Sequence, residues 1–299
     1  MFTGILIPLD SSVTAEQVIP YARTFARCLK LPVELLAVID TGALLTSVDR
    51  ARHLDELSAQ EIDKAKAYLE SIARRFLGSR VKRTVEQGGA ADVIIQKAAE
   101  DNETLIVMTT HGRSGMHRWL LGSVAEKVLR GASNPLCLVR ATTGADVEGE
   151  ATLKTIIVPL DGSELAEVAL PVATNTAAKL GSEIFLLRAY SNPYSPFVGG
   201  AGSYAVNVNE LLAGVREEAR NYLEEKMAEV RQQGVEEVSY LLEEGIAADT
   251  IVSVATHTPE SLVIMCSHGR SGVKRWVLGS VAETVVRHSK SPVLLLRPA

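Results

Sequence analysis

Two glycine-punctuated segments carry most of the polar chemistry of this chain. His111-Gly112-Arg113-Ser114-Gly115 opens the first and His268-Gly269-Arg270-Ser271-Gly272 the second. Each runs on through an Arg-Trp pair, ending in Trp119 or Trp276, to a Gly-Ser step at Gly122-Ser123 or Gly279-Ser280. Glycine lets a backbone turn left-handed and lets a ligand approach the main chain. A helix starting at the Gly-Ser step presents unpaired N–H groups and a partial positive charge, which favour a phosphate. The ligand this chemistry predicts is anionic at one end. The same residues admit a plainer role, because Ser123 with Glu126 and Ser280 with Glu283 have the spacing of a capping box that merely starts a helix. The balance is tipped by the loop, since eighteen of the thirty positions from His111 to Arg140 match their partners in the second segment.

The elements that hold these loops come from a repeat spanning half the chain. "ILIPLDSSVTAEQVIPYA" from Ile5 corresponds to "IIVPLDGSELAEVALPVA" from Ile156, and "VEQGGAADVIIQKAAEDNETLIVM" from Val85 to "LEEGIAADTIVSVATHTPESLVIM" from Leu242. A unit this long buries its own core, so the repeat is a duplicated domain and not a solenoid. The predicted domains are 1–143 and 154–299, joined by a linker at 144–153 within the Thr-, Gly- and acid-rich stretch Ala141 to Thr152.

In the first half "GILIPL", "VELLAVI", "VKRTVE", "TLIVMTT" and "PLCLVR" read as strands, and several are apolar at nearly every position, which suits burial on both faces. Apolar residues from Ala15 to Leu29 recur at helical spacing. Pro20 and its twin Pro171 are expected to kink that helix from inside. Further helices are expected at Leu54 to Phe76, Ala91 to Glu100 and Val124 to Arg130. Alternating strands and helices call for a parallel sheet covered on both faces, with ligands bound outside the carboxyl ends of its strands.

The 299 residues are 46% hydrophobic and 22% charged with a net charge of −5, which describes a globular chain without the clustered basic surface of a nucleic-acid binder. No stretch has the length and apolarity of a membrane span and the start of the chain does not read as a leader, so a soluble cytoplasmic protein is expected. Cys28, Cys137 and Cys266 lack metal-site spacing and read as small core residues.

A glycine (Gly112, Gly269), nine residues and Gly-Ser between the fourth strand and the last helix, with "PLD" closing the first strand, resembles the Gly-x-x-Gly, nine residues, Gly-Ser pattern of the ATP-binding class of universal stress proteins. The resemblance covers nearly the whole chain, one family domain per half. It implies an open five-stranded sheet of order 3-2-1-4-5 in each domain and ATP, or another adenine nucleotide, lying across the strand ends, with Mg2+ entering alongside a triphosphate. Asp10 and Asp161 match the family acid at the adenosine end, with Pro8, Leu9, Pro159 and Leu160 as nearby backbone. An Asp in that place before a helix is equally a cap. Val38 and Ala189 match the position whose main chain meets the adenine edge. Met108 and Met265 fall where the family strand runs under the nucleotide, a place that gap-filling methionine also suits. Gly112, Gly122, Ser123, Val124 and their partners Gly269, Gly279, Ser280, Val281 match the phosphate contacts, and Arg113 and Arg270 would add charge beside them. Thr109 and Cys266 stand where the pattern has its first glycine.

What this implies is a stress-response or regulatory module with at most slow hydrolysis and no assigned catalytic residue. His111 and His268 are expected to hydrogen-bond their loops, and Trp119 and Trp276 to pack them. Two alternatives stay open. One is a scaffold or small-molecule binder with vestigial sites. The other is an adenylating enzyme of the α-hydrolase type, whose SGGxDS-like loop or HIGH-like motif does not occur, just as a P-loop does not. Family domains pair through their last strand, so the halves are expected to pair within the chain, with room for a further homodimer and no nucleic-acid or membrane partner. Ser191 to Val208 has no counterpart in the first half and reads as a flap or surface loop beside the second site.

Overall fold

The computed structural model describes residues 1–40, 54–111, 121–142, 144, 146–190, 208–267 and 278–297, with side chains of 54–57 and 208–211 excepted. The first half runs β1 (Gly4–Pro8), α1 (Val13–Glu16), α2 (Ile19–Leu29), β2 (Val33–Ile39), α3 (Leu54–Ala73), β3 (Val81–Gln87), α4 (Ala90–Ala98), β4 (Thr104–Thr109), α5 (Ser123–Gly131) and β5 (Leu136–Val139). The second half repeats it as β6 (Thr155–Pro159), α6 (Glu164–Glu167), α7 (Ala169–Leu180), β7 (Glu183–Tyr190), α8 (Val208–Gln232), β8 (Val238–Glu244), α9 (Ala247–His257), β9 (Ser261–Cys266), α10 (Ser280–His288) and β10 (Val293–Leu296).

Unbroken apolar runs become central strands because both sheet faces are covered. In β1 the side chains alternate: Ile5 and Ile7 enter the cluster under α2 and α3, and Leu6 enters the one under α4 and α5. All three are no more than 1% exposed. Strands β3 and β8 are the exceptions, part-polar along their length, and they lie at the two sheet edges.

Each half keeps the expected order 3-2-1-4-5, but the halves are not two separate open sheets. The ten strands form one sheet in the order β3-β2-β1-β4-β5-β10-β9-β6-β7-β8. All pairings within a half are parallel, and β5 meets β10 antiparallel, with Cys137 opposite Leu294. Last strands that would otherwise be open edges thus cover each other.

The prolines correct a second expectation. The helical turn of α1 ends before Val18, and Pro20 sits in the first turn of α2, where its missing N–H has no acceptor to lose. Pro171 occupies the first turn of α7 in the same way. The apolar period continued across the break because both helices rest on one sheet face.

The connecting stretch lies along α2. Gln17 exchanges two hydrogen bonds with the Thr142 backbone at 2.7 and 2.8 Å, the Thr24 hydroxyl donates to Ala151 O at 2.8 Å, and Arg27 pairs with Glu150 at 2.7 Å.

Candidate functional site

At the carboxyl end of the sheet, the chain after β4 leaves and returns to the same point. Thr110 N–H donates to Val139 O at 2.9 Å, and Gly122 N–H donates back to Thr110 O at 2.8 Å. In the second half Ser267 N–H bonds Leu296 O and Gly279 N–H bonds Ser267 O, both at 2.9 Å. These four bonds fix the start of α5 and α10 beside the ends of β4 and β9, whatever course the intervening loop takes.

The start of each helix decides between the two readings of the Gly-Ser step. Gly122 and Gly279 are the capping residues, with extended backbones (φ −62°, ψ 148° and φ −62°, ψ 143°) and no side-chain bond to the helix. Ser123 and Ser280 are already the first helical residues, so the capping box is not formed. Its acids are engaged elsewhere: Glu126 pairs with Arg130 at 2.9 Å and with Arg287 at 3.1 Å. Burial raises the Glu126 carboxyl, and these arginines more than offset it, holding the group below its ordinary range. The first helical bond is Glu126 N–H to Gly122 O at 2.8 Å. The N–H groups of residues 123–125 precede it and have no acceptor within the helix.

Facing each helix start is a cleft, of about 260 Å³ in the first half and about 280 Å³ in the second. The first is lined by Pro8, Leu9, Asp10, Val38, Met108, Thr109, Gly122, Ser123 and Val124, and the second by Pro159, Leu160, Asp161, Ala189, Met265, Cys266, Gly279, Ser280 and Val281. Of the residues singled out from sequence, these eighteen come together in two equivalent groups, and His111 lines the first cleft beside them. Gly112, Arg113, Gly269 and Arg270 lie outside the described residues, as do His268, Trp119, Trp276 and residues 191–207 of the expected flap.

The rest of the lining is largely apolar and tied to the sheet. Leu9 N–H donates to Leu36 O, and Leu160 N–H to Leu187 O, each at 2.8 Å, which holds the Pro-Leu-Asp turn on the sheet. Met108 and Met265 are core residues and cleft floor at once, each 6% exposed. Asp10 is not the helix cap. Its Oδ1 accepts from Ser12 N–H at 3.0 Å and Ser12 Oγ–H at 2.5 Å, while Ser12 Oγ accepts Ala15 N–H at 3.1 Å and so caps α1. Asp161, Ser163 and Ala166 repeat the arrangement at 3.0, 2.6 and 3.2 Å. The acids therefore brace the caps from a position on the cleft wall.

Thr109 donates its hydroxyl to His111 O at 2.6 Å, and His111 Nδ1 lies 3.0 Å from Thr110 Oγ1. These bonds tie the strand end to the start of the glycine loop. Cys266, in the place of Thr109, is buried, and burial pushes its thiol up to about 12. Sequence reasoning missed Thr110, Ser267, and the wall residues Leu36, Ile94, Leu187 and Ile251. Their signal was positional equivalence between the halves, since their residue types read only as core.

Among the described residues no group of three His, Cys, Asp or Glu is arranged to hold a metal ion, and no helix is long and apolar enough to cross a membrane.

The sequence model of the universal stress protein family matches residues 1–140 and again 152–297. A universal stress protein of Methanocaldococcus jannaschii is 36% identical over 151 residues, half of this chain and 85% of its own length. One from Mycolicibacterium smegmatis is 25% identical over 308 residues, covering 99% of this chain and 97% of the relative. The crystal structure of a universal stress protein from Archaeoglobus fulgidus shares the fold with a TM-score of 0.69 at 22% identity, over 99% of both chains. Two matched segments, each ending in its own glycine-capped helix and strand-end cleft, and a relative of the same length make the chain a member of the universal stress protein family, built as a tandem of two family domains.

Proposed function

We propose that each lobe binds one adenine nucleotide, ATP foremost, across its strand ends, and that the chain serves as a stress-response or regulatory module with at most slow hydrolysis. The lobes are residues 1–143 and 154–299, with 144–153 as linker. The observation that carries this reading is the pairing, in both lobes, of an apolar slot with a helix start whose cap is a glycine without side-chain partner. The slot suits a flat, weakly polar base, and the helix start suits phosphate oxygens. Asp10 and Asp161, which also line the clefts, would accept hydrogen bonds from ribose hydroxyls. The β5–β10 seam serves as the internal counterpart of a dimer contact. Mg2+ would enter with the triphosphate and be held through its oxygens.

Calorimetric titration of the purified chain with ATP tests the reading. Two sites are expected, with Gly122→Asp and Gly279→Asp each removing one. A chain that takes up no ATP, or whose binding is indifferent to both substitutions, is a scaffold instead.

A further inference from the structure

Among the described residues, the two clefts share their plan but differ in one buried cation behind the wall. Arg188 follows Leu187 in β7, and the strand register makes Ala37 its counterpart, because Leu36 and Leu187 pair with Pro8 and Pro159 alike. Arg188 is only 8% exposed. It runs behind the cleft wall toward the loop that follows Asp161, where a Cβ on Gly162 would stand 3.2 Å from Nη2 and 3.3 Å from Nη1. Gly162 has φ +84°, and the equivalent Ser11 adopts φ +64° with a side chain in place. The second lobe therefore combines an arginine with the one residue that leaves room for it, where the first combines an alanine with a serine. The guanidinium also lies 4.8 Å over the Tyr222 ring, which fixes its position.

Among the described residues, the ion pair behind each wall has a counterpart in the other lobe. In the first lobe Glu16 pairs with Arg75 at 2.9 Å, and Arg75 also reaches Glu148 at 3.4 Å. In the second Glu167 pairs with Lys226 at 3.1 Å, and Lys226 also reaches Glu229 at 2.9 Å. With Asp10 and Asp161 added, each of these described sets holds three carboxylates and one cation, to which Arg188 adds a positive charge in the second lobe. Asp161 and Arg188 act in opposite senses on the Tyr222 hydroxyl, the acid raising it and the arginine lowering it.

We propose that Arg188 makes the clefts unequal: it offsets Asp161, so that the second cleft prefers a triphosphate over a monophosphate of the same nucleoside more strongly than the first. This rests on the nucleotide reading above. A buried cation acts through low-dielectric protein and is screened little by salt, and each added phosphate increases the negative charge it attracts, so the preference is a charge effect. Arg188 is a positioning and charge-setting residue, since its head is covered by the Gly162 turn.

The test measures ATP and AMP affinities first on the unmodified chain, then on Gly122→Asp, which leaves the second site, and on Gly279→Asp, which leaves the first. The expected ATP-to-AMP preference is about tenfold larger at the second site, changing little with salt. In the Gly122→Asp background, Arg188→Met is expected to bring the preference down to that of the first site, and Arg188→Lys to retain it. Equal preferences in the two single-site variants overturn the proposal, as does an Arg188→Met chain that loses ATP and AMP affinity in equal measure. The comparison of single-site variants stands even if Arg188→Met does not fold. Absence of ATP binding in the unmodified chain would defeat the nucleotide reading itself, whereas binding at both sites with equal preferences defeats only the role of Arg188.

Discussion

Cys137 and Cys266 occupy strands whose neighbours are apolar on both faces, and burial pushes each thiol up to about 12. In the unfolded chain the same thiols ionise near their ordinary value, about 8.5. Between roughly pH 9 and 12 the unfolded state therefore binds fewer protons than the native one, and stability falls as pH rises, by about 1.4 kcal/mol per pH unit for each thiol. Tyr68 and Tyr222, also pushed up by burial and by Glu16 and Glu167, add to the slope at its alkaline end. Denaturant titrations from pH 8 to 11 are expected to show a shallower loss in Cys137→Ala than in the unmodified chain, even though the variant starts from lower stability. Parallel curves would mean that this thiol ionises in the native state. The core placement of both cysteines was legible in sequence because their neighbours are uniformly apolar. The partner of a polar residue was not: Asp10 reads equally as cap or as ligand acid, and only coordinates show that Ser12 caps while Asp10 braces it.

The helices α5 and α10 invite a test in which stability and binding move in opposite directions. A glycine cap leaves the first N–H groups without a side-chain acceptor, and an aspartate in the same extended conformation supplies one. Its charge also opposes the helix dipole favourably. Gly122→Asp is thus expected to leave stability unchanged or raise it by about 0.3–1 kcal/mol while lowering ATP affinity at that lobe ~100-fold, because the carboxylate takes the phosphate's place. Thermal melts and nucleotide titrations on one sample check both signs. A variant that loses stability together with binding would show that the glycine is kept for backbone geometry alone. At this scale the strands were the most legible elements, since runs such as "TLIVM" and "PLCLV" are apolar at successive positions and only a doubly covered sheet accommodates that. The boundary at Pro20 was misread, and the cap reading at Ser123 stayed open, for one reason. Apolar periodicity reports which face is buried and is blind to where the hydrogen-bond ladder stops, so a proline between α1 and α2 looked internal and an i, i+3 Ser-Glu pair looked like a cap.

Across the whole molecule, the seam between the lobes is built from symmetric pairs. Glu126 and Arg287 meet at 3.1 Å, Glu283 and Arg130 at 3.4 Å, and each arginine also pairs within its own helix at 2.9 Å. Arg140 donates to Arg287 O and His288 O at the end of α10, and Arg297 donates to Leu129 O near the end of α5, so each lobe satisfies carbonyls of the other's last helix. The strands beneath are buried along their full length, and both hydrophobic clusters contain residues of both lobes: Cys137 with Leu294 in one, Leu138 with Leu295 in the other. Pairing of the last strands was expected from the family resemblance alone, and the ion pairs and carbonyl contacts of the seam were not legible, because a seam strand and a core strand use the same apolar alphabet. A core shared in this way couples the lobes, since unfolding one exposes the apolar face and strand edge of the other. A single calorimetric transition is therefore expected, with calorimetric and van't Hoff enthalpies in agreement. Replacing Arg130 and Arg287 together by glutamate would place four carboxylates at the seam, losing about 1 kcal/mol for each half-exposed pair and adding repulsion of similar size. The double variant is expected to lose about 2–4 kcal/mol or to split the transition in two, with each single variant losing less than half as much. Two transitions already present in the unmodified chain would mean that the lobes fold as independent units and that the seam follows folding without directing it.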